Sequence, residues 1–168
     1  MSMTLNQLAE KCFITACSKG WYGEQARAAV ALTEAPELRI DLCRNFADKL
    51  NLGERLMLIV TEVAEAMEEY RNGHDVTEVY AIRTGMLPPW RSADNSLTAQ
   101  RKIFDKVPYD AAAEADHLKP EGFPIEIADA LIRIFDLAGA HGIDLDEAVR
   151  IKMAYNATRP VRHGGKLA

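Results

Sequence analysis

Residues 122–139, GFPIEIADALIRIFDLAG, place two acidic side chains where a helix least accommodates them. Projected at about 100° per residue, Ile125, Ile127, Ala128, Ala130, Leu131, Ile132, Ile134, Phe135, Leu137 and Ala138 cover most of the circumference. Glu126, Asp129, Arg133 and Asp136 share one narrow strip. A helix that is apolar nearly all round is normally buried, and a buried carboxylate is costly unless it is paired or holds a metal. The pattern predicts a buried helix running to about His141, with Gly142 as its stop and an acidic wall along one side.

A second strong helix is predicted upstream, GERLMLIVTEVAEAMEEYR at 53–71, closed by Asn72-Gly73. Glu62 and Glu65 lie three apart there, with Glu69 four further on, along one edge of a stripe of Leu56, Ile59, Val63, Met67 and Tyr70. Residues three or four apart are neighbours on a helix surface. Each helix therefore offers a carboxylate pair, Glu62/Glu65 and Glu126/Asp129, and the pairs face each other if the apolar faces pack. Four carboxylates at low dielectric repel, and some protonate unless cations are present. Mg²⁺ is a hard cation commonly held by one or two carboxylates, with water and substrate phosphates completing its octahedron. Singly, each pair has a plainer reading. Glu62, Glu65 and Glu69 could be a solvated helix edge, and Asp129 could form an ion pair with Arg133.

Elsewhere, Thr4 and Gln7 form a capping box for a first helix, TLNQLAEKCFITACSKG, that stops near Gly20. Helical stretches follow at EQARAAVALTEA and ELRIDLCRNFADKL. Asp144, with Glu147 three residues on, opens a last helix that ends before Pro160. No sustained period-two alternation appears, so the expected class is all-α: a helical bundle with a carboxylate-lined metal site between helices. Residues 1–168 are expected to form a single domain. Within it, 74–121 reads as a loop-rich insertion, with loops at MLPPWRSADNS and KPEG and short helices between them, and 160–168 as a polar tail.

Composition narrows the partners. Net charge is -5 and the pI about 5.4, which lacks the basic footprint of a nucleic-acid binder. Cys12, Cys17 and Cys43 are odd in number and lack paired metal-ligand spacing. They read as reduced, buried thiols of a cytosolic protein. The N-terminal stretch does not resemble a signal peptide, and no run approaches the ~20 apolar residues of a membrane span. The expectation is a soluble cytoplasmic protein with neither nucleic acid nor membrane as partner.

Opposite charge comes from the last helix, where Lys152, Asn156 and Arg159 share a face, with Arg162, His163 and Lys166 in the tail. Lysine meets phosphate as a point charge and arginine as a fork. Alone, this is a basic turn complementing a helix dipole. Beside metal-binding carboxylates it reads as a polyphosphate clamp.

Three segments together, TEVAEAMEEYRNG, EGFPIEIADALIRIFDLAGAHGIDLDEAV and KMAYNATRPVRHGGK, resemble the MazG-like all-α nucleoside triphosphate pyrophosphatases of the small, single-domain phage and bacterial type. The family's ExxE is matched by Glu62/Glu65 and its ExxD by Glu126/Asp129; Lys152, Asn156 and Arg159 match its downstream phosphate-binding set. The stretch between the acidic motifs is longer here than in compact members, so nothing transfers to MLPPWRSADNS. The resemblance implies Mg²⁺-dependent hydrolysis of a nucleoside triphosphate to monophosphate and pyrophosphate, with Mn²⁺ as a substitute metal. Glu62, Glu65, Glu126 and Asp129 would hold the metal, and Glu65 or Glu62 would orient or deprotonate the attacking water. Trp21, Tyr22 and Trp90 are candidates for stacking on the base, with core packing as the plainer reading. Family members associate, and the apolar surface on 4–19, 53–71 and 122–141 exceeds what one bundle covers, so a homodimer or homotetramer is expected. Two alternatives stand beside this reading. One is a carboxylate-bridged di-iron four-helix protein, which wants two ExxH motifs and finds only Glu114–His117. The other is a nucleotide-binding module of the same fold without turnover.

Overall fold

A computed structural model of the chain describes residues 3–32, 36–47, 52–86, 102–108 and 118–160. These form six helices, α1 (Leu5–Ser18), α2 (Glu24–Leu32), α3 (Pro36–Phe46), α4 (Leu52–Arg71), α5 (Phe123–His141) and α6 (Leu145–Ala157). Three strands accompany them, β1 (Tyr80–Met86), β2 (Lys102–Pro108) and β3 (Pro120–Glu121). The protein is predominantly helical, as its sequence pattern predicts. The departure lies in the described parts of 74–121, where a three-stranded sheet is present and the KPEG segment contributes its two-residue strand; the loop expected at MLPPWRSADNS lies almost wholly outside the described residues.

The helix ends follow from local chemistry. Thr4 and Gln7 close a reciprocal capping box on α1, and the Asp144 carboxylate accepts the Glu147 amide at the start of α6. Gly142, at φ 64°, ends α5 while the Ile143 amide reaches back 2.9 Å to the Ala138 carbonyl. Among the described residues no helix is long and apolar enough to cross a membrane.

The chain divides into two compact units. The first holds Met1–Leu58 and Leu131–Ala168, the second Ile59–Ala130, so α4 and α5 contribute to both. Phe13, Cys17, Tyr22, Ala26, Cys43 and Ala140 form the core of the first unit. The Phe13 and Tyr22 rings meet edge to face at 4.8 Å. All three cysteines are free, with Cys17 and Cys43 fully buried. Gly139 lets α5 lie against α1: a Cβ there would sit 2.4 Å from the Ala9 carbonyl oxygen and 2.7 Å from Phe13 Cβ. The starts of α1 and α6 cap each other. The Asn6 side-chain oxygen accepts from the Leu145 and Asp146 amides, and the Asp146 carboxylate accepts from those of Leu5 and Asn6.

An arginine stitches this core from the side. The Arg55 guanidinium lies 3.8 Å over the Tyr22 ring and 3.5 Å from Asp136, and it donates to the Trp21 carbonyl. Burial pushes the Asp136 carboxyl up to about 6 although Tyr22 and Arg55 oppose the shift.

In the second unit β1 is the central strand, antiparallel to both neighbours. Its register pairs Tyr80 with Pro108 on one side and with Glu121 on the other. Gly122 turns β3 into α5 at φ 116°, and a Cβ there would meet the Glu78 carbonyl oxygen at 2.5 Å and the Tyr80 ring at 3.4 Å. Only glycine fits that corner.

Candidate metal-binding site

Helix α4 inverts the usual rule. It buries Glu62, 5% exposed, together with Ala66, while Leu56, Val60, Val63, Met67 and Tyr70 stand exposed. Of the apolar stripe read from the sequence, Leu56, Val63, Met67 and Tyr70 are therefore uncovered. On α5, Glu126 in the first turn is 3% exposed. These two buried acids meet within the second unit: Glu62, Glu65 and Glu126 each bring one carboxylate oxygen within 4.8 Å of the other two.

Burial, and then the Glu65 charge, push the Glu126 carboxyl up to about 7; Glu121 and Asp129 add to the shift and Lys119 opposes it. Its Oε2 is buried without a hydrogen-bond partner, an arrangement that proteins normally avoid. The donor set fits a hard divalent cation. Oxygens bound to one Mg²⁺ lie no more than about 4 Å apart, and these three are already gathered within 4.8 Å. A cation would also supply the partner that Glu126 Oε2 lacks. Asp129, part-buried one turn beyond Glu126, lies outside this trio although its charge acts on Glu126.

One turn beyond Glu65, Glu69 serves a different purpose. Its carboxylate accepts the Tyr80 hydroxyl at 2.9 and 3.1 Å and lies 2.7 Å from His74 Nδ1. A carboxylate only accepts, so this contact places a proton on Nδ1. The His74 and Tyr80 rings meet edge to face at 5.2 Å. Glu69 thereby fastens the 72–80 turn and the start of β1 to α4. Tyr80 pairs with Glu121, and the next residue, Gly122, opens the helix bearing Glu126. The sheet is thus the connection that sets Glu126 against Glu62 and Glu65.

Lys119, just before β3, ion-pairs with Glu121 at 3.1 Å. That bond holds its ammonium above the ordinary lysine range, and the charges of Glu126 and Asp129 act in the same direction. Lys119, Tyr80 and Gly122 are absent from the residues nominated by sequence. The signal for Lys119 and Gly122 was the KPEG segment just before the acidic helix, read only as a loop, and Tyr80 had none.

The remaining nominated residues lie in the first unit. Lys152, Asn156 and Arg159 are exposed on α6 and beyond its end. The Lys152 and Arg159 cations flank the Tyr155 ring at 5.3 and 5.9 Å. Trp21 is 66% exposed rather than packed in the core, whereas Tyr22, 1% exposed, is a core residue and cannot stack on a ligand without unfolding around it. Trp90, Glu114–His117, Arg162, His163 and Lys166 fall outside the described residues. Comparison with protein-family models, with curated proteins and with solved structures finds no match to this chain.

Proposed function

We propose that the chain is a Mg²⁺-dependent nucleoside triphosphate pyrophosphohydrolase of the MazG-like kind, converting a (d)NTP and water to (d)NMP and pyrophosphate. The observation that carries this reading is the convergence of buried Glu62 and Glu126 with exposed Glu65, one oxygen of the Glu126 carboxylate being buried without a hydrogen-bond partner. It coincides with the ExxE and ExxD motifs and with a basic last helix.

Glu62, Glu65 and Glu126 would hold Mg²⁺, with Asp129 beside them, and Mn²⁺ would serve in its place. When bound, the metal supplies charge neutralisation at the phosphoryl oxygens and acidifies bound water. The protein's own contribution is positioning and charge, as is usual for phosphoryl transfer. Glu62 is fixed by burial and Glu65 faces solvent, so Glu65 is the carboxylate open to take the proton of an incoming water. The water oxygen bonds to one phosphorus of the α–β anhydride, the bond from that phosphorus to the bridging oxygen breaks, and the electron pair stays on that oxygen, giving monophosphate and pyrophosphate. Lys152, Asn156 and Arg159 would engage phosphate oxygens, and Trp21 the base. A second copy of the chain is the proposed partner.

A panel of common and modified (d)NTPs with Mg²⁺, scored separately for pyrophosphate and orthophosphate, tests the reading. Pyrophosphate should form with at least one nucleotide and vanish with chelator. Glu65→Gln and Asp129→Asn should each lower kcat at least a hundredfold at saturating Mg²⁺ with the thermal midpoint retained. Pyrophosphate from no nucleotide, or a freshly purified protein carrying iron with visible absorption, would overturn it.

A further inference from the structure

We infer that Lys119 is the phosphate anchor of the carboxylate site, and that the second unit alone can hold a metal-bound polyphosphate. The inference deepens the pyrophosphohydrolase reading and rests on it.

The acidic cluster cannot bind an anion by itself. Glu62, Glu65, Glu126, Asp129 and Glu121 would repel phosphate oxygens, and a single divalent cation offsets only part of that charge. Lys119 is a positive charge in the right place. Its ammonium acts on Glu126 and Asp129 as well as on its ion-pair partner Glu121. Its backbone is not free to wander, because the next two residues pair with β1, Pro120 with Ala81 and Glu121 with Tyr80. The corner at Gly122 then fixes where that strand end meets the first turn of α5. A long, exposed side chain is thus tethered at a defined distance along the chain from the buried acids.

Charge determines where that side chain turns. Without metal, Lys119 sits in a field of carboxylates and is drawn to Glu121. A cation among Glu62, Glu65 and Glu126 weakens that field, and an ammonium with three rotatable donors can exchange the Glu121 carboxylate for a phosphate oxygen. The Lys119 end of this pair is exposed and the Glu121 end part-buried, and an ion pair open to solvent on one side contributes modestly to stability, so releasing Glu121 costs less than the new contact to phosphate returns. The same anion would then bridge the metal and Lys119. The recognised chemistry is an inorganic polyphosphate chain, independent of base and sugar.

This makes two effects of opposite sign, which an ordinary surface ion pair would not produce. Lys119→Met in the full-length protein should tighten Mn²⁺ binding several-fold when no phosphate is present, because a repelling charge has gone. The same variant should weaken binding of tripolyphosphate at saturating Mg²⁺ about tenfold, the scale of one charge-assisted hydrogen bond. Lys119→Arg should restore most of that binding. Titration calorimetry with Mn²⁺ alone, then with tripolyphosphate over excess Mg²⁺, reads both, and a thermal melt reports folding. Both affinities unchanged, or both lowered along with the melting midpoint, would overturn the assignment. A parent protein that binds no Mn²⁺ would instead remove the metal site, and with it the functional reading beneath.

Discussion

Glu126 is where burial and charge conflict most openly in this chain. Its carboxyl is raised from 4.5 to about 7, so in the metal-free protein it carries a proton over much of the range below neutrality. For an acid whose folded-state pKa is raised, the stabilising contribution is fully present below the unfolded value and is lost as pH climbs through the folded one. At about 1.4 kcal/mol per pKa unit, the loss between pH 4.5 and about 7 is at most about 3.5 kcal/mol. Glu126→Gln should therefore raise the metal-free melting midpoint above pH 7 and flatten its decline between pH 4.5 and about 7. The slope at lower pH persists, because Asp136 in the first unit titrates near 6 in the same direction. Mg²⁺ should stabilise the parent at pH 7.5 and leave Glu126→Gln nearly unmoved, since the hard cation has lost a charged ligand. Thermal melts over pH with and without Mg²⁺ check both arms. A variant that still gains full stability from Mg²⁺ would move the ligand role to other carboxylates.

At the scale of elements, the small sheet decides whether the acids meet, and its weakest joint is Gly122. A side chain there must accept φ 116° and a Cβ 2.5 Å from the Glu78 carbonyl oxygen. Gly122→Ala is expected to cost about 1–3 kcal/mol from backbone strain alone and to tilt the first turn of α5. Metal affinity should fall at least tenfold even at temperatures where the variant remains folded. A milder control placed away from this path, Gly142→Ala at φ 64° with nothing nearer than 3.8 Å to the added Cβ, should lower stability while sparing metal affinity. Equal effects on metal binding would deny the sheet its positioning role. The helices were legible because their signals are local: the Thr4/Gln7 box, the Asp144 cap and the glycine stops each act within about five residues. The carboxylate pairs were legible for the same reason, as an i,i+3 spacing. The sheet was not, because β1 and β2 pair residues such as Tyr80 and Pro108 across a long connection, and β3 is only two residues long. Lys119 and Gly122 become functional candidates only through the β1–β3 pairing of Ala81 with Pro120. No local pattern carries that information.

At the scale of the whole molecule, α4 leaves an interface uncovered. Leu56, Val60, Val63, Met67 and Tyr70 repeat at spacings of four and three, and all are exposed. That is the seam by which helices pack on one another, yet it sits beside, not on, the face that buries Glu62 and Ala66. Fully burying one such side chain is worth about 1.5–3 kcal/mol, and association costs about 4–15 kcal/mol in lost freedom. Five half-exposed side chains on one helix therefore give a marginal contact. A stable dimer needs about 800 Å² per partner, so further apolar surface of the second unit, such as the exposed Ile127 of α5, is expected to share the interface. A second copy of the chain matches such a surface, since the same seam is apolar on both partners and an isologous contact is self-complementary. Light scattering at micromolar concentration should return a dimer or tetramer. Val60→Asp combined with Met67→Asp should shift the mass to monomer with helical circular dichroism retained, because neither side chain is needed in the core of its own chain. Monomeric parent protein, or a double variant of unchanged mass, would assign this seam to something other than self-association.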